Sequence, residues 1–493
     1  MEITLFNLSR TLSSDGSRLI SAILRQAGHP TKSIFLARAS SSLYETDELS
    51  QLHYILQDSE IVMIAVYSSY VQRAIHLTEF IHDNYAGLKV IWGGPHCISA
   101  PEVSLKYADG ICFSEGDQAA LELVNRIEAK ADYTDTPNMA FNKDGSFLIN
   151  RTLPPFTDLD NLPYYDYDLE EQYLLDGGLS PMTKEIVRKR HAYYPYNMPT
   201  FYYLTSRGCP NRCAYCNNSR YIELFGHNAI RFISVDRIIN ELDHTLKHLD
   251  FFEILSFGDD DFLMRPQSQI EEFAIKYKKR IDLPFLIGAS ANTYRKEKME
   301  ILLDSGLKCI QMGVQSGSQR IIDEVFTRKV TVKKTKEAVE EIVPYKKRKD
   351  LDLLLDFIID NPYETPEDVI QTYNYLLNLP LDVIVNIFFL AFFPGTPIYD
   401  RALKDGHIEP YQETKTTFKF STREGIRVRY QQNYEMFLIL LLKRLRLHCL
   451  DNKSTWRRYI PKSFFRLVGS YPIRRIAALF PRSFYSFLCQ KIQ

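Results

Sequence analysis

The feature that most constrains this chain is a rhythm. Short β-branched or aromatic runs alternate with amphipathic stretches, in two series, across most of its 493 residues. In residues 1–128 the runs are EITLFNL, KSIFLA, IVMIAVYS, KVIWGG and GICFSEG. Each is short and mostly apolar, the pattern of parallel strands covered on both faces. Between the first two, GSRLISAILRQAG puts Leu19, Ile20, Ile23 and Leu24 on one helical stripe, with Gly28 as its stop. Strands alternating with helices predict an α/β unit, doubly wound and Rossmann-like, whose ligand sits at the carboxyl ends of the strands.

The second series runs from about 200 to 405, with strands expected at YYLTS, FEILSFG, FLIGAS, CIQMGVQS, LDLLLDFIID and VIVNIFFLAF. SVDRIINELDHTLKHL reads as a helix capped by Ser234, and RKEKMEILLDSG and TPEDVIQTYNYLLNL read as helices too. Six β/α units predict a partial (β/α)6 barrel, open on one side, with its chemistry at the carboxyl ends of the strands. The expected organisation is therefore a Rossmann-like unit (1–128), a linker with a small hairpin turning at Lys143-Asp144-Gly145 (129–190), the barrel (191–405) and a basic α-helical region (406–493).

No stretch approaches the roughly 20 apolar residues of a membrane span, and the start MEITLFNLSRTLSS lacks the pattern of a signal peptide. A net charge of −1 gives no general pull toward nucleic acid. The expected setting is the cytoplasm, where thiols stay reduced and clustered cysteines bind metal or do chemistry. Three of the eight cysteines, Cys209, Cys213 and Cys216, crowd into SRGCPNRCAYCNNS, directly after the first barrel strand. Three thiolates on one short loop suit an iron–sulfur cluster. Zinc competes, but its structural sites take four protein ligands, and the nearest downstream histidine is His227.

At this loop the chain resembles the radical S-adenosylmethionine (SAM) enzymes, with Cys-x3-Cys-x2-Cys and aromatic Tyr215 before the third cysteine. The resemblance implies a [4Fe-4S] cluster on the three cysteines, its open iron chelated by the amino and carboxylate groups of SAM. Reductive cleavage of SAM then gives methionine and a 5′-deoxyadenosyl radical. It also implies an electron donor such as flavodoxin or ferredoxin. FGDDDF resembles the family's segment facing the SAM amino group, which implicates Gly258, Asp259, Asp260 and Asp261. GVQSGS stands where the family has Gly-x-Glu-Ser-Gly, so Gln315, Ser316 and Gly317 are implied SAM contacts, with an amide replacing the usual acid. DFIIDNPYETPED resembles the fifth-strand segment, though Asp360 and Tyr363 stand where glycines are common; Glu364 and Thr365 read equally as the start of a helix. FFPGTPIYD matches the sixth-strand exit, with Pro394-Gly395-Thr396 as a turn.

The loops of the first unit resemble the cobalamin-binding domain that precedes the barrel in the class B radical SAM methyltransferase-like family. Leu12, Ser13, Ser14, Asp15 and Gly16, then Tyr67, Ser68 and Ser69, then Gly93, Gly94, Pro95 and His96, then Glu115 and Gly116 are the implied contacts. No Asp-x-His-x-x-Gly occurs, so cobalamin without a histidine lower ligand is expected, and His96 reads as a turn residue at a ligand edge. A degenerate scaffold without cofactor is the alternative.

From Lys443 onward twelve Lys or Arg face one acid, Asp451, among many aromatic residues. A helical cap over the barrel, peripheral contact with a membrane surface and recognition of an anionic substrate group are the three readings. Cys449 and Cys489 read as inert. The resemblance implies methyl transfer to an unactivated carbon or to phosphorus of a small-molecule or lipid-like substrate, with no single catalytic side chain assigned. Cyclisation or rearrangement without net methylation is the alternative outcome. A non-catalytic iron–sulfur or zinc-binding protein is the alternative of another class.

Overall fold

The computed structural model describes residues 1–9, 11–13, 15–37, 43–143, 145–380, 383–410 and 434–450, with 467–468, 473 and 477 beyond them. For 227–228, 347–348, 434 and 444–450 it describes the backbone only. Ser14, the hairpin residue Asp144, the His227 side chain and nearly all of the aromatic–basic stretch after 450 thus lie outside the described residues.

In the first unit β1 (Ile3–Asn7), wholly buried, pairs in parallel with both β2 (Thr31–Phe35) and β3 (Ile61–Ala65). The parallel array continues through β4 (Lys89–Gly93) and β5 (Gly110–Cys112), giving the order 5-4-3-1-2. Two separate apolar cores account for the continuous apolar runs: one contains Phe6, Ile64 and Trp92, the other Leu5, Met63 and Ile91. The strand order reverses between β1 and β3, which puts the loops after them at a switch point.

The stretch 129–190 is not a free linker. Its hairpin, β6 (Met139–Lys143) and β7 (Ser146–Ile149), adds antiparallel to β5 at one edge of the sheet. At the other edge β8 (Gln172–Leu175) runs parallel to β2 and folds back as β9 (Leu179–Pro181). These additions make nine strands and cover two edges that would otherwise present unpaired backbone groups.

The barrel begins earlier than YYLTS suggests. A short β10 (Ala192–Tyr193) lies antiparallel beside β11 (Met198–Tyr203). The chain then leaves the barrel to form a two-stranded clasp from β12 (Ser206–Arg207) and β13 (Arg231–Phe232). It returns as β14 (Ile254–Phe257), β15 (Phe285–Ala289), β16 (Leu307–Gln315), β17 (Asp352–Ile359) and β18 (Ile384–Phe389), parallel and in sequential order after β11. The helices follow their sequence signals. Ser234 Oγ accepts from Arg237 N at the start of Val235–His248, and Gly306 ends Lys296–Ser305 in the left-handed region. Tyr434–Leu450 packs on Pro366–Asn378 with Met436, Ile439 and Leu442 buried. No helix among the described residues is long and apolar enough to cross a membrane.

Candidate functional site

The cysteine loop lies between the two strands of the clasp and is held from several sides. Gly208 has φ of +86°, and a Cβ there would strike the Ala229 carbonyl. Ala214 N donates to Phe326 O (2.9 Å), Ile398 N donates to Ala214 O (3.0 Å), and Thr327 Oγ1 donates to Arg212 O (3.0 Å). The Tyr215 ring meets Phe326 edge-on at 5.0 Å. Cys209 and Cys213 are buried, Cys216 is half-buried, and all three are free thiols. Burial pushes Cys209 up to about 12 and Cys216 up to about 11, and raises Cys213 as well. Each lies within electrostatic reach of another, and Asp260 stands close to Cys209 and Cys216. Among the described residues no set of three His, Cys, Asp or Glu side chains is gathered at metal-holding distance. The donor chemistry fits an iron–sulfur cluster: three free thiols on one anchored loop, which deprotonate as they bind metal.

The three aspartates after β14 separate into two kinds. Asp259 is buried and serves the fold: its carboxylate accepts from Thr205 N (3.2 Å), Thr205 Oγ1 (2.9 Å) and Ser206 Oγ. Asp261 is fully buried, accepts from Thr293 Oγ1 (2.7 Å), and is pushed up to about 6 by burial. Neither is free to receive an ammonium group. Asp260 is exposed to solvent; the surrounding atoms raise its carboxyl, and a hydrogen bond with Asn218 partly counters that rise. Gly258 lies against the Tyr202 ring so closely that no side chain fits, and Tyr202 Oη donates to its carbonyl (3.2 Å).

At the end of β16 the backbone shifts register against β17, and Gln315 takes φ of +71°. Its Oε1 is buried with no hydrogen-bond partner, an orphan that calls for a donor from outside the chain. Its Nε2 sits over Gly313, whose carbonyl accepts from Arg328 (2.6 Å). Ser316 and Gly317, by contrast, are spent on packing. Ser316 Oγ is 3.2 Å from Thr372 Oγ1 and fully buried, and a Cβ on Gly317 would meet Gln371 O at 2.6 Å. Thr365 caps Pro366–Asn378 in a reciprocal pair with Asp368, so the helix-start reading of that segment holds. Glu364 is buried behind it, accepts from Asn361 N, and is pushed up to about 8 by burial. Asp360, at φ of +63°, adopts the left-handed backbone that glycine would take more easily.

The carboxyl-end loops of the first sheet meet those of the barrel. After β5, Asp117 holds Arg207 of the clasp in a bidentate pair (2.7 and 2.8 Å), and Glu115 holds Arg231 likewise (2.9 and 2.6 Å). Glu115 also accepts from Phe156 N (2.9 Å), so its carboxylate is occupied within the fold. Gly395, at the exit of β18, packs on the Ser99 carbonyl of the first unit. Leu12 is buried and its carbonyl accepts from Arg18 (3.2 and 3.1 Å), whose guanidinium lies over Tyr167. His96 is fully buried with Nδ1 2.9 Å from Ser68 Oγ, and burial holds it neutral, down at about 4. Both side chains of that pair are buried and face each other. Asp15 is buried at the start of Asp15–Gln26, its Oδ1 unpartnered, and burial pushes it up to about 7. Tyr67 is exposed, Ser69, Gly93 and Pro95 are half-buried, and Gly94 (φ +95°) would bring a Cβ to 3.0 Å from Val66 O. Gly16 and Ser13 lie beside Asp15, and Gly116 packs near Ile20. Arg207, Arg231, Asp117 and Arg328 were not singled out by sequence; their partners lie 15 to 116 positions away, so no local pattern marks them.

With this geometry in place, comparison with known proteins is informative. Residues 203–376, which cover most of the barrel, match the Radical SAM superfamily. The chain is 25% identical over 353 residues to an uncharacterized methyltransferase of Pyrococcus horikoshii, covering 70% of each protein. It is 20% identical over 460 residues to the cytidylyl-2-hydroxyethylphosphonate methyltransferase of Streptomyces wedmorensis, covering 83% of this chain and 81% of that one. Its fold superposes on the radical SAM methyltransferase TsrM of Kitasatospora setae, solved with cobalamin and a [4Fe-4S] cluster bound, with a TM-score of 0.62 at 15% identity, covering 82% of this chain and 75% of the other. The barrel of this enzyme thus carries a radical SAM domain, and methyltransferases are among the chain's relatives.

Proposed function

We propose that this enzyme is a cobalamin-dependent methyltransferase that transfers methyl to an unactivated carbon, or to phosphorus, of a small-molecule substrate. When bound, SAM on the cluster supplies a 5′-deoxyadenosyl radical, and cobalamin supplies the methyl group. The observation that carries the reading is the meeting of two carboxyl edges through the Arg207–Asp117 and Arg231–Glu115 pairs, which sets loops of the first sheet beside the cysteine loop. Strand ends are where both topologies hold ligands, so one space serves both cofactors and the substrate between them.

In this reading Cys209, Cys213 and Cys216 hold the cluster. Asp260 accepts from the SAM ammonium, and the orphaned Gln315 Oε1 accepts from a further donor on SAM. Gly258, whose missing side chain makes room for Tyr202, offers its backbone beside Asp260. Asp15, Gly16, Tyr67, Ser69, Gly93, Gly94, Pro95 and Gly116 form the cobalamin wall, with the Asp15 carboxyl available to the ligand's polar side groups. His96, whose Nδ1 faces Ser68, is not assigned as a metal ligand in this reading. The protein contributes orientation and exclusion of water while the cofactors carry the hard chemistry. It works in the cytoplasm with a small reducing protein as electron donor.

The test is anaerobic reconstitution of the full chain, a visible spectrum for cluster and cobalamin, and assay of 5′-deoxyadenosine with and without dithionite. Dithionite-dependent 5′-deoxyadenosine supports the radical reading, and its absence from cluster-loaded protein defeats it. Label carried from methyl-labelled SAM into product establishes methyl transfer, whereas a changed but unlabelled product assigns cyclisation or rearrangement instead.

A further inference from the structure

We propose that the concave wall of the barrel carries a substrate subsite for O–H and N–H donor groups, built from Gln311, Asp356 and Asn386. It rests on the proposed function only in taking the barrel interior as the place where substrate lies. In each of the last three strands of the barrel sheet the side chains flanking these residues are buried: Ile310 and Met312 on β16, Leu355 and Phe357 on β17, Val385 and Ile387 on β18. Alternation along a strand then turns Gln311, Asp356 and Asn386 to the opposite, concave side. There Gln311 is exposed and the other two are half-buried.

The trio is wired in one direction. Gln311 Nε2 donates to Asp356 Oδ2 (2.6 Å), and Asn386 Nδ2 donates to Asp356 Oδ1 (3.0 Å). A carboxylate only accepts, so both amides must turn their NH2 groups toward it. Their carbonyl oxygens are thereby aimed away, and neither accepts a bond from a described residue. The wall thus presents two amide oxygens and the remaining carboxylate lone pairs, all acceptors. Polar groups partly withdrawn from water, as Asp356 and Asn386 are, cost up to about 1–3 kcal/mol unless partnered. Three adjacent polar side chains with spare acceptors point to a ligand that brings donors.

Charge narrows the class. Arg328, buried and bonded to Gly313 O on the same strand as Gln311, acts electrostatically on Asp356. The carboxylate is therefore partly offset, so a neutral hydroxyl is accepted as readily as an ammonium. A carboxylate or phosphate of the substrate would face only acceptors at this point.

Saturation-transfer NMR on the anaerobically reconstituted full chain tests this, with glycerol as the neutral polyol probe, serinol as the amine probe and propionate as the acceptor-only control. We expect transfer to glycerol, serinol or both, with no transfer to propionate. The signal should fall about tenfold in Asp356→Asn, as loss of one charge-assisted bond predicts, and by about threefold in Asn386→Leu, which removes a neutral acceptor. Which donor probe responds assigns alcohol or amine. Equal signals in wild type and both variants, no signal from either donor probe, or propionate binding as well as they do would overturn the proposal. Assay of 5′-deoxyadenosine on the same wild-type preparation separates the two readings, because its failure defeats the radical function while the NMR result stands on its own.

Discussion

The two carboxyl edges that meet in this enzyme have similar topology and opposite electrical character. The barrel edge gathers three thiols, the exposed Asp260 and the buried Arg328. The first-sheet edge carries several ionisable residues but little free charge. Glu115 and Asp117 are neutralised by arginines, His96 is held neutral by burial, and Asp15 is pushed toward protonation. A sulfonium cation and a metal cluster suit the first edge. A bulky ligand of largely amide character suits the second. Parallel strand ends by themselves specify only a place, and the way loop charges are satisfied decides what is held there.

The sharpest way to break that contrast is at the cysteines. Cys209→Ala, Cys213→Ala or Cys216→Ala should each reduce bound iron and 5′-deoxyadenosine to background, as measured by iron analysis and chromatography. Gly94→Val, on the other edge, should leave bound iron unchanged and abolish cobalamin absorbance, because its side chain would press on Val66 O. Loss of iron in the Gly94 variant would show that the edges are not separable.

A smaller effect tests what joins them. Asp117→Ala leaves Arg207 without its bidentate partner at the base of the cysteine loop and should cost about 2 kcal/mol of unfolding free energy. Urea denaturation measures it. Cluster retention during gel filtration should also fall, whereas a loss of stability with full retention would make the pair merely a strut.

The smallest effect is one of pH. Asp15 is raised in the folded state from 3.8 to about 7, so between those values the native protein holds a proton that the unfolded chain has released. The carboxyl therefore subtracts from stability progressively as pH rises through that window. Asp15→Asn removes the penalty, so the variant should gain on wild type between pH 5 and pH 8 by about 1 kcal/mol or more. A constant difference across that range would mean that Asp15 is ionised throughout.

Most of the fold was legible because its strands are short, mostly apolar runs and its helices carry clear stripes and caps, as at Ser234 and Thr365. The connector was not, since Pro and Asp dominate the stretch between β7 and β8 and outweigh the short apolar runs that join the sheet. The clasp was missed because two-residue strands have no period to read. In the site, the cysteines announced themselves by spacing. Asp259, Asp260 and Asp261 are indistinguishable as letters, and only their partners, Thr205 and Ser206 against Asn218 against Thr293, divide structural acid from available acid. Arg328 serves Gly313 across fifteen positions, a relation that only the folded chain displays.

Gly208 has a consequence for anyone who would disarm this enzyme. Its α-carbon rests on the Ala229 carbonyl with no room for even one methyl, in a backbone geometry that side chains resist. Exchanging it for alanine leaves every sulfur in the sequence and dislodges the segment that presents them. A mutation outside the three cysteines, of the smallest size chemistry allows, should therefore lower bound iron on reconstitution as removal of a sulfur would.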